Sequence, residues 1–173
     1  MPEYILDADI FIDSHQRHYC IGFCPAFWDW LILKNKAGIV FSEEHVCKEL
    51  KRDDDVLSLW ADELGSEFFL PFDQPATDCI GKIAVWVANQ RRFTTQAIDK
   101  FYNGADMYLI AYALAHGHTV VTHEQPAPNS KNSIKIPDVC NGVGVNTIYL
   151  WDLLRLERAK FVLQIENYID TGG

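Results

Sequence analysis

Five carboxylates are spaced along the chain so that folding could bring them together: Asp7, Asp9, Glu49, Asp106 and Glu124. Asp7 and Asp9 follow Tyr4-Ile5-Leu6, an apolar run that reads as a central strand buried on both faces. Asp106 stands where a helix begins, with apolar or small residues at Met107, Ile110, Ala111, Leu114 and Ala115 in helical spacing. Gly117 ends that helix, where a positive φ is often needed. Glu124 comes just after Thr119-Val120-Val121-Thr122, a short buried strand. Glu49 lies three residues after Val46, at the edge of a helical stripe made by Val46, Cys47 and Leu50, from which it can point into a crevice.

A lone acid after a strand is ordinarily a cap or turn residue. The joint pattern is less ordinary. Ligands of an open parallel sheet bind outside the carboxyl ends of its strands, and these positions all fall on that side. Like charges within about 4–6 Å raise one another's pKa, so the cluster costs stability unless a cation neutralises it. Oxygen-only ligands suit Mg²⁺ or Mn²⁺. Such a metal activates water and stabilises charge on a phosphoryl oxygen, which is the chemistry of phosphodiester hydrolysis.

The elements that must position these acids can be read in order. Strands are expected at residues 4–6, 38–41, 67–70, 119–122 and 145–149. Helices are expected over Pro25–Lys36, with proline in its first turn, and over 56–64, 75–92, 93–102 and 150–156. Ser42 is read as the cap of the helix that carries Glu49, with Glu43 and Glu44 in its first turn to suit the dipole. Asp53-Asp54-Asp55 reads as a solvated turn. Residues 125–137 carry three prolines and no hydrophobic period, a length of loop more often functional or mobile than decorative. Asp138 is read as a helix cap after it, and the tail at 161–169 has apolar residues but no clear place. Strands alternating with helices point to one α/β domain, a parallel sheet with helices on both faces.

Composition narrows the setting. With 173 residues and 49% apolar content, the chain can bury one full core. A formal net charge of -9 argues against wrapping nucleic acid through bulk positive potential, though not against an enzyme whose acids hold divalent cations. Five irregularly spaced cysteines, an odd number, read as reduced thiols. The acidic start lacks the basic region and apolar run of an export signal, and no apolar run approaches the roughly 20 residues of a membrane span. A cytoplasmic location is expected, with no membrane partner.

The order LDAD at residues 6–9, Glu49, AD at 105–106 and VVTHE at 120–124 resembles the PIN-domain nucleases. It is most similar to a PIN-like branch of uncharacterised bacterial proteins, which the loop PNSKNSIKIPDVC at 128–140 also resembles. The likeness covers nearly the whole chain, so residues 1–173 are read as a single PIN-like domain. It implies a Rossmann-like α/β/α sandwich with a mostly parallel sheet, and Mg²⁺- or Mn²⁺-dependent cleavage of RNA. Cleavage of that kind leaves 5′-phosphate and 3′-hydroxyl ends. Many members are toxins neutralised by a partner protein, so an antitoxin and a homodimer are expectations as well. Carried over by position, Asp7, Glu49, Asp106 and Glu124 are the catalytic and metal-binding acids. Asp9 stands where the family usually has Asn or Ser and is read as a support or an extra ligand. Thr122-His123-Glu124 replaces the usual T-[ND]-D, with Thr122 orienting a carboxylate or phosphate and the longer Glu124 reaching metal directly or through water.

Other residues carry less. Lys131 and Lys135 on the long loop, and Lys48, Lys51 and Arg52 beside Glu49, are candidates for substrate phosphates or else solubility charges. His15, His18, Cys20 and Cys24 are zinc-capable types at a spacing that matches no closed site. The five tryptophans lie mainly on helical apolar patterns and are read as core. Two alternatives stand beside the nuclease. Asp7-Ala8-Asp9 also opens a haloacid-dehalogenase-type phosphohydrolase site, which needs a later lysine and a late acid pair that this sequence supplies poorly. The second alternative, a PIN-like module that binds without turnover, is favoured by Glu124.

Overall fold

The computed structural model describes residues 3–162; the apolar tail lies outside them beyond Val162. In chain order the elements are β1 (Tyr4–Leu6), α1 (Ala8–Asp13), a π-helical turn (Ser14–His18), α2 (Pro25–Lys36), β2 (Val40–Glu43), α3 (Glu44–Leu50) and α4 (Val56–Phe68). They continue with β3 (Phe69–Leu70), α5 (Gln74–Asn89), α6 (Thr95–Asn103), α7 (Asp106–His116), β4 (Thr119–Val121), α8 (Ile136–Val143), β5 (Thr147–Ile148) and α9 (Leu150–Leu156). The sheet runs β3-β2-β1-β4-β5 and every pairing is parallel. Helices cover both faces, which makes the α/β/α sandwich expected of the sequence. No helix among the described residues is long and apolar enough to cross a membrane.

Strand order follows from burial. All of β1 is buried, as are Val120 and Val121 of β4, so these two take the centre. Ile5 pairs with Phe41 on one side and Val120 on the other. From β1 the chain winds outward through β2 and β3, then returns to β4 on the opposite side. The point where winding reverses lies between β1 and β4. A crevice opens there, outside the strands' carboxyl ends.

Several local expectations are corrected. Ser42 does not cap α3; it is the third residue of β2, and its hydroxyl donates to the Leu6 carbonyl at 2.7 Å. Glu43 is the cap, accepting from His45 N. Strand pairing outweighs the serine's capping preference because Ser42 is fully buried beside β3. The second strand starts at Val40, since Gly38 adopts φ +72° and turns the chain. The third is only two residues, α4 having absorbed Glu67 and Phe68. Asp138 does not cap: α8 already starts at Ile136 with Pro137 in its first turn, and the Asp138 carboxylate accepts from Ala127 N at 2.9 Å. Residues 8–13 form α1, a helix absent from the sequence reading, which only places Asp7-Ala8-Asp9 at a strand's carboxyl end.

The tryptophans divide. Trp28 and Trp30 are buried, Trp60 and Trp86 are half-buried, and Trp151 is 45% exposed, stacked on Tyr149 at 4.5 Å. Trp86 explains a glycine. A Cβ on Gly142 would lie 1.8 Å from Trp86 Nε1, so the indole of α5 occupies the space a side chain on α8 would need. Gly142→Ala is expected to destabilise the fold by about 1–3 kcal/mol through overpacking. In thermal melts Gly142→Ala should lower Tm, and Trp86→Leu should remove most of that further loss.

Candidate active site

Asp7 sits at the N-cap position of α1, where an aspartate would ordinarily bond the first turn, yet its side chain makes no cap bond. Its Oδ2 instead accepts from the Thr122 hydroxyl at 2.8 Å, across the β1–β4 seam. Strand pairing holds both groups in place: Asp7 N donates to the Val121 carbonyl of β4 at 3.0 Å, and Thr122 N donates to the Ile148 carbonyl of β5 at 3.1 Å. Thr122 Oγ1 also accepts from Glu124 N at 3.1 Å, so one hydroxyl ties the first acid to the last.

Asp106 is the first residue of α7, and its neighbour Ala105, at the N-cap, offers no side-chain cap. Burial pushes the Asp106 carboxyl up to about 7, and the charges of Glu124, Glu49 and Asp9 add to the rise. Asp7 is raised well above the usual carboxylate range, first by burial and then by Asp106 and Asp9, against the lowering bond from Thr122. Asp9 is raised by burial, then by Glu124 and Asp13. Each acid therefore feels acids from other elements: β1–α1, α3, α7 and the segment after β4 converge on one crevice. Glu49 lies on α3, half-buried.

Glu124 differs from the rest. Its Oε1 takes Lys135 Nζ at 2.7 Å and its Oε2 takes Ile136 N at 2.7 Å, so both oxygens are engaged within the chain. Ile136 opens α8, whose first N–H groups have no intrahelical partner. Beside this pair lies a cavity of 290 Å³ lined by Asp106, Glu124, Lys135, Lys100, Asn103 and Phe101 among others. Lys131 is exposed; its carbonyl accepts from Thr94 N. Lys48 and Lys51 are paired with Glu44 and Asp62.

Asp13, mentioned in no functional role above, adjoins the crevice, within 3.3 Å of both His123 Nδ1 and Arg17 Nε. Lys100 and Asn103, on the cavity wall, also escaped sequence reading because nothing in an amphipathic helix marks which polar residues face a cleft. Among the described residues, one trio of metal-capable groups has ligand atoms within 4.8 Å of one another: Glu43, Glu44 and His45. Its carboxylates are already satisfied, Glu43 by His45 N and Nδ1 and Glu44 by Phe72 N and Lys48. The crevice acids are spaced more widely, as unneutralised like charges should be. His15, His18, Cys20 and Cys24 form no such group, and the five cysteines are free thiols.

The family described as a domain of unknown function, DUF4411, matches residues 4–161. The chain belongs to this family. DUF4411 is PIN-like, and solved structures agree on the fold. VapBC2 from Rickettsia felis, bound to a DNA fragment from its promoter, matches with TM-score 0.53 at 15% identity, over 84% of this chain and 97% of that one. FitAcB from Neisseria gonorrhoeae matches with TM-score 0.51 at 19% identity, over 86% and 98%. DNA-bound VapBC from Salmonella typhimurium matches with TM-score 0.56 at 15% identity, also over 86% and 98%. No curated protein matches the chain in sequence.

The donor set of the DUF4411 crevice fits a hard divalent cation: carboxylate oxygens from four segments, that of Asp7 buried and those of Glu49, Asp106 and Glu124 half-buried, with the Lys135 ammonium in contact. The pH behaviour of the metal-free protein follows. A carboxyl raised in the folded state binds more protons than the unfolded chain does, so stability is fullest below the unfolded pKa and is lost as pH rises through the folded one. For Asp106 the window runs from its ordinary 3.8 to about 7, a cost to the charged form on the order of 4 kcal/mol. In EDTA, Tm is expected to fall from pH 5 to pH 8. Asp106→Asn should raise Tm at pH 8, change it little at pH 4 and flatten the profile.

Proposed function

We propose that this chain is a metal-dependent ribonuclease, with Asp7, Glu49 and Asp106 as the ligands of a Mg²⁺ or Mn²⁺ ion. The supporting observation is that buried Asp7 and half-buried Asp106, on separate elements at the sheet's switch point, are both raised by burial and by neighbouring acids, a cost that a cation between them would remove. When bound, the cation supplies Lewis acidity, activating water for attack on phosphorus and stabilising the charge that develops on the phosphoryl oxygens.

The chain's own groups do the rest. Thr122 fixes the Asp7 carboxylate by donating to Oδ2, and Oδ1 is the oxygen left for the ion. Asp9, in the first turn of α1, adds negative charge beside Asp7 and Asp106 and supports the ion's affinity. The 290 Å³ cavity against Asp106 admits a nucleotide-sized segment, and Lys100 on its wall is placed to meet a phosphate. Its size and the net charge of -9 favour single-stranded or unpaired RNA over long duplex. The complexes VapBC2, FitAcB and VapBC share this fold, which supports a protein partner that restrains the activity.

Cleavage of a single-stranded RNA in Mn²⁺, abolished by EDTA, is the expected result, and 5′-phosphate ends should appear. Asp106→Asn should reduce the rate by at least about 100-fold, whereas Thr122→Val, which removes a supporting bond, should cost about 10–100-fold. Stabilisation by Mn²⁺ in thermal melts should vanish in Asp7→Asn. Mn²⁺ binding without cleavage of any RNA would leave a binding module in place of the enzyme. Expression in a bacterial host should slow growth, and Asp106→Asn should relieve it.

A further inference from the structure

Lys135 enters the acid crevice from the last residue before α8. Its ammonium lies 2.7 Å from Glu124 Oε1, with side chains 34% and 14% exposed, so the pair is largely shielded from solvent. The other Glu124 oxygen accepts from Ile136 N at 2.7 Å. Glu124 therefore grips two successive residues, one by its side chain and one by its backbone. A metal bound at either oxygen would have to share it with the lysine ammonium or with the Ile136 N–H. The lysine's charge also reaches Asp9 and Asp106, favouring their ionised forms.

We infer that Lys135 is a built-in counter-cation that holds Glu124 away from the metal and fills the place a second divalent ion would take, so the chain binds one ion and not two. The inference rests on the crevice being a divalent-cation site. Two-metal centres hold their ions about 3.5–4 Å apart with carboxylates serving both. Here the carboxylate nearest α8 has both oxygens engaged, and an ammonium stands beside it. A divalent ion bound by Glu124 would face the Lys135 ammonium and find both oxygens already carrying hydrogen bonds. Lys135 is thus a positioning residue, not a group for loose phosphate contact, and Glu124 is its anchor.

Mn²⁺ titration of the full chain, with free Mn²⁺ followed by electron paramagnetic resonance and the heat by calorimetry, tests this directly. Wild type is expected to bind one equivalent. Lys135→Met should bind two, and the double variant Lys135→Met, Glu124→Gln should return to one with affinity within about threefold of wild type. Two equivalents in wild type, or one in a folded Lys135→Met, would overturn the inference while leaving the cation site intact. Loss of all binding in the double variant would do the same, since Glu124 would then be a ligand. No binding by wild type would overturn the site itself and this inference with it. Should Lys135→Met fail to fold, a Mn²⁺-soaked wild-type crystal decides: one anomalous peak with Glu124 still on Lys135 supports the inference, and two peaks or a Glu124-bound ion refutes it.

Discussion

Negative charge held out of water at the reversal point of a parallel sheet is the constraint on which the rest of this molecule depends. Carboxylates on different elements are costly to gather, and burial makes them costlier. Two of them, Asp7 and Glu124, are fixed by neighbours that are themselves part of the scaffold. Thr122 belongs to the strand-end backbone that bonds to Ile148, and Glu124 is seated on the start of α8. Sheet register thus sets the distance from the first acid to the last, and helix placement sets the distance to Asp106 and Glu49. A shift of one residue in the β1–β4 pairing would turn Asp7 to the opposite face.

The sheet and the acid positions were legible in the sequence for the same reason. Short apolar runs ending in Asp or Thr mark buried strands and their carboxyl ends together, so Tyr4-Ile5-Leu6-Asp7 and Val120-Val121-Thr122 gave both the strand and the polar residue at its end at once. The helix opened by Asp106 was equally readable, with Gly117 in the left-handed region at its end. What escaped depends on partners distant in sequence. Ser42 looks like a cap until Leu6 offers its carbonyl 36 residues away. Glu124 looks like a free ligand until α8, whose start was hidden among prolines, presents Ile136 N and Lys135. Trp151 looks like core because its helix is too short for periodicity to say which side faces solvent.

Glu43, Glu44 and His45 make a second knot of charged groups whose character is structural. The His45 ring stacks on Tyr108 of α7 at 3.8 Å between centroids, while Glu44 holds Phe72 N on the approach to α5. The knot joins the end of β2, the start of α3 and the body of α7. It therefore aligns Glu49, one turn further along α3, with Asp106 at the head of α7. A tight group of metal-capable atoms in this chain is a brace, and the proposed site is the more open group.

The loop between β4 and α8 is fastened on the far side of the cavity as well. Thr94 N donates to the Lys131 carbonyl at 2.9 Å, Arg92 Nε donates to the Ser130 carbonyl at 3.2 Å, and the Thr94 hydroxyl caps α6, whose Ala97 and Phe101 line the cleft. Ceiling and wall are consequently stapled into one piece. Any tilt of α6 carries the overhang with it, so the width of the cleft is governed by the few residues joining α5 to α6.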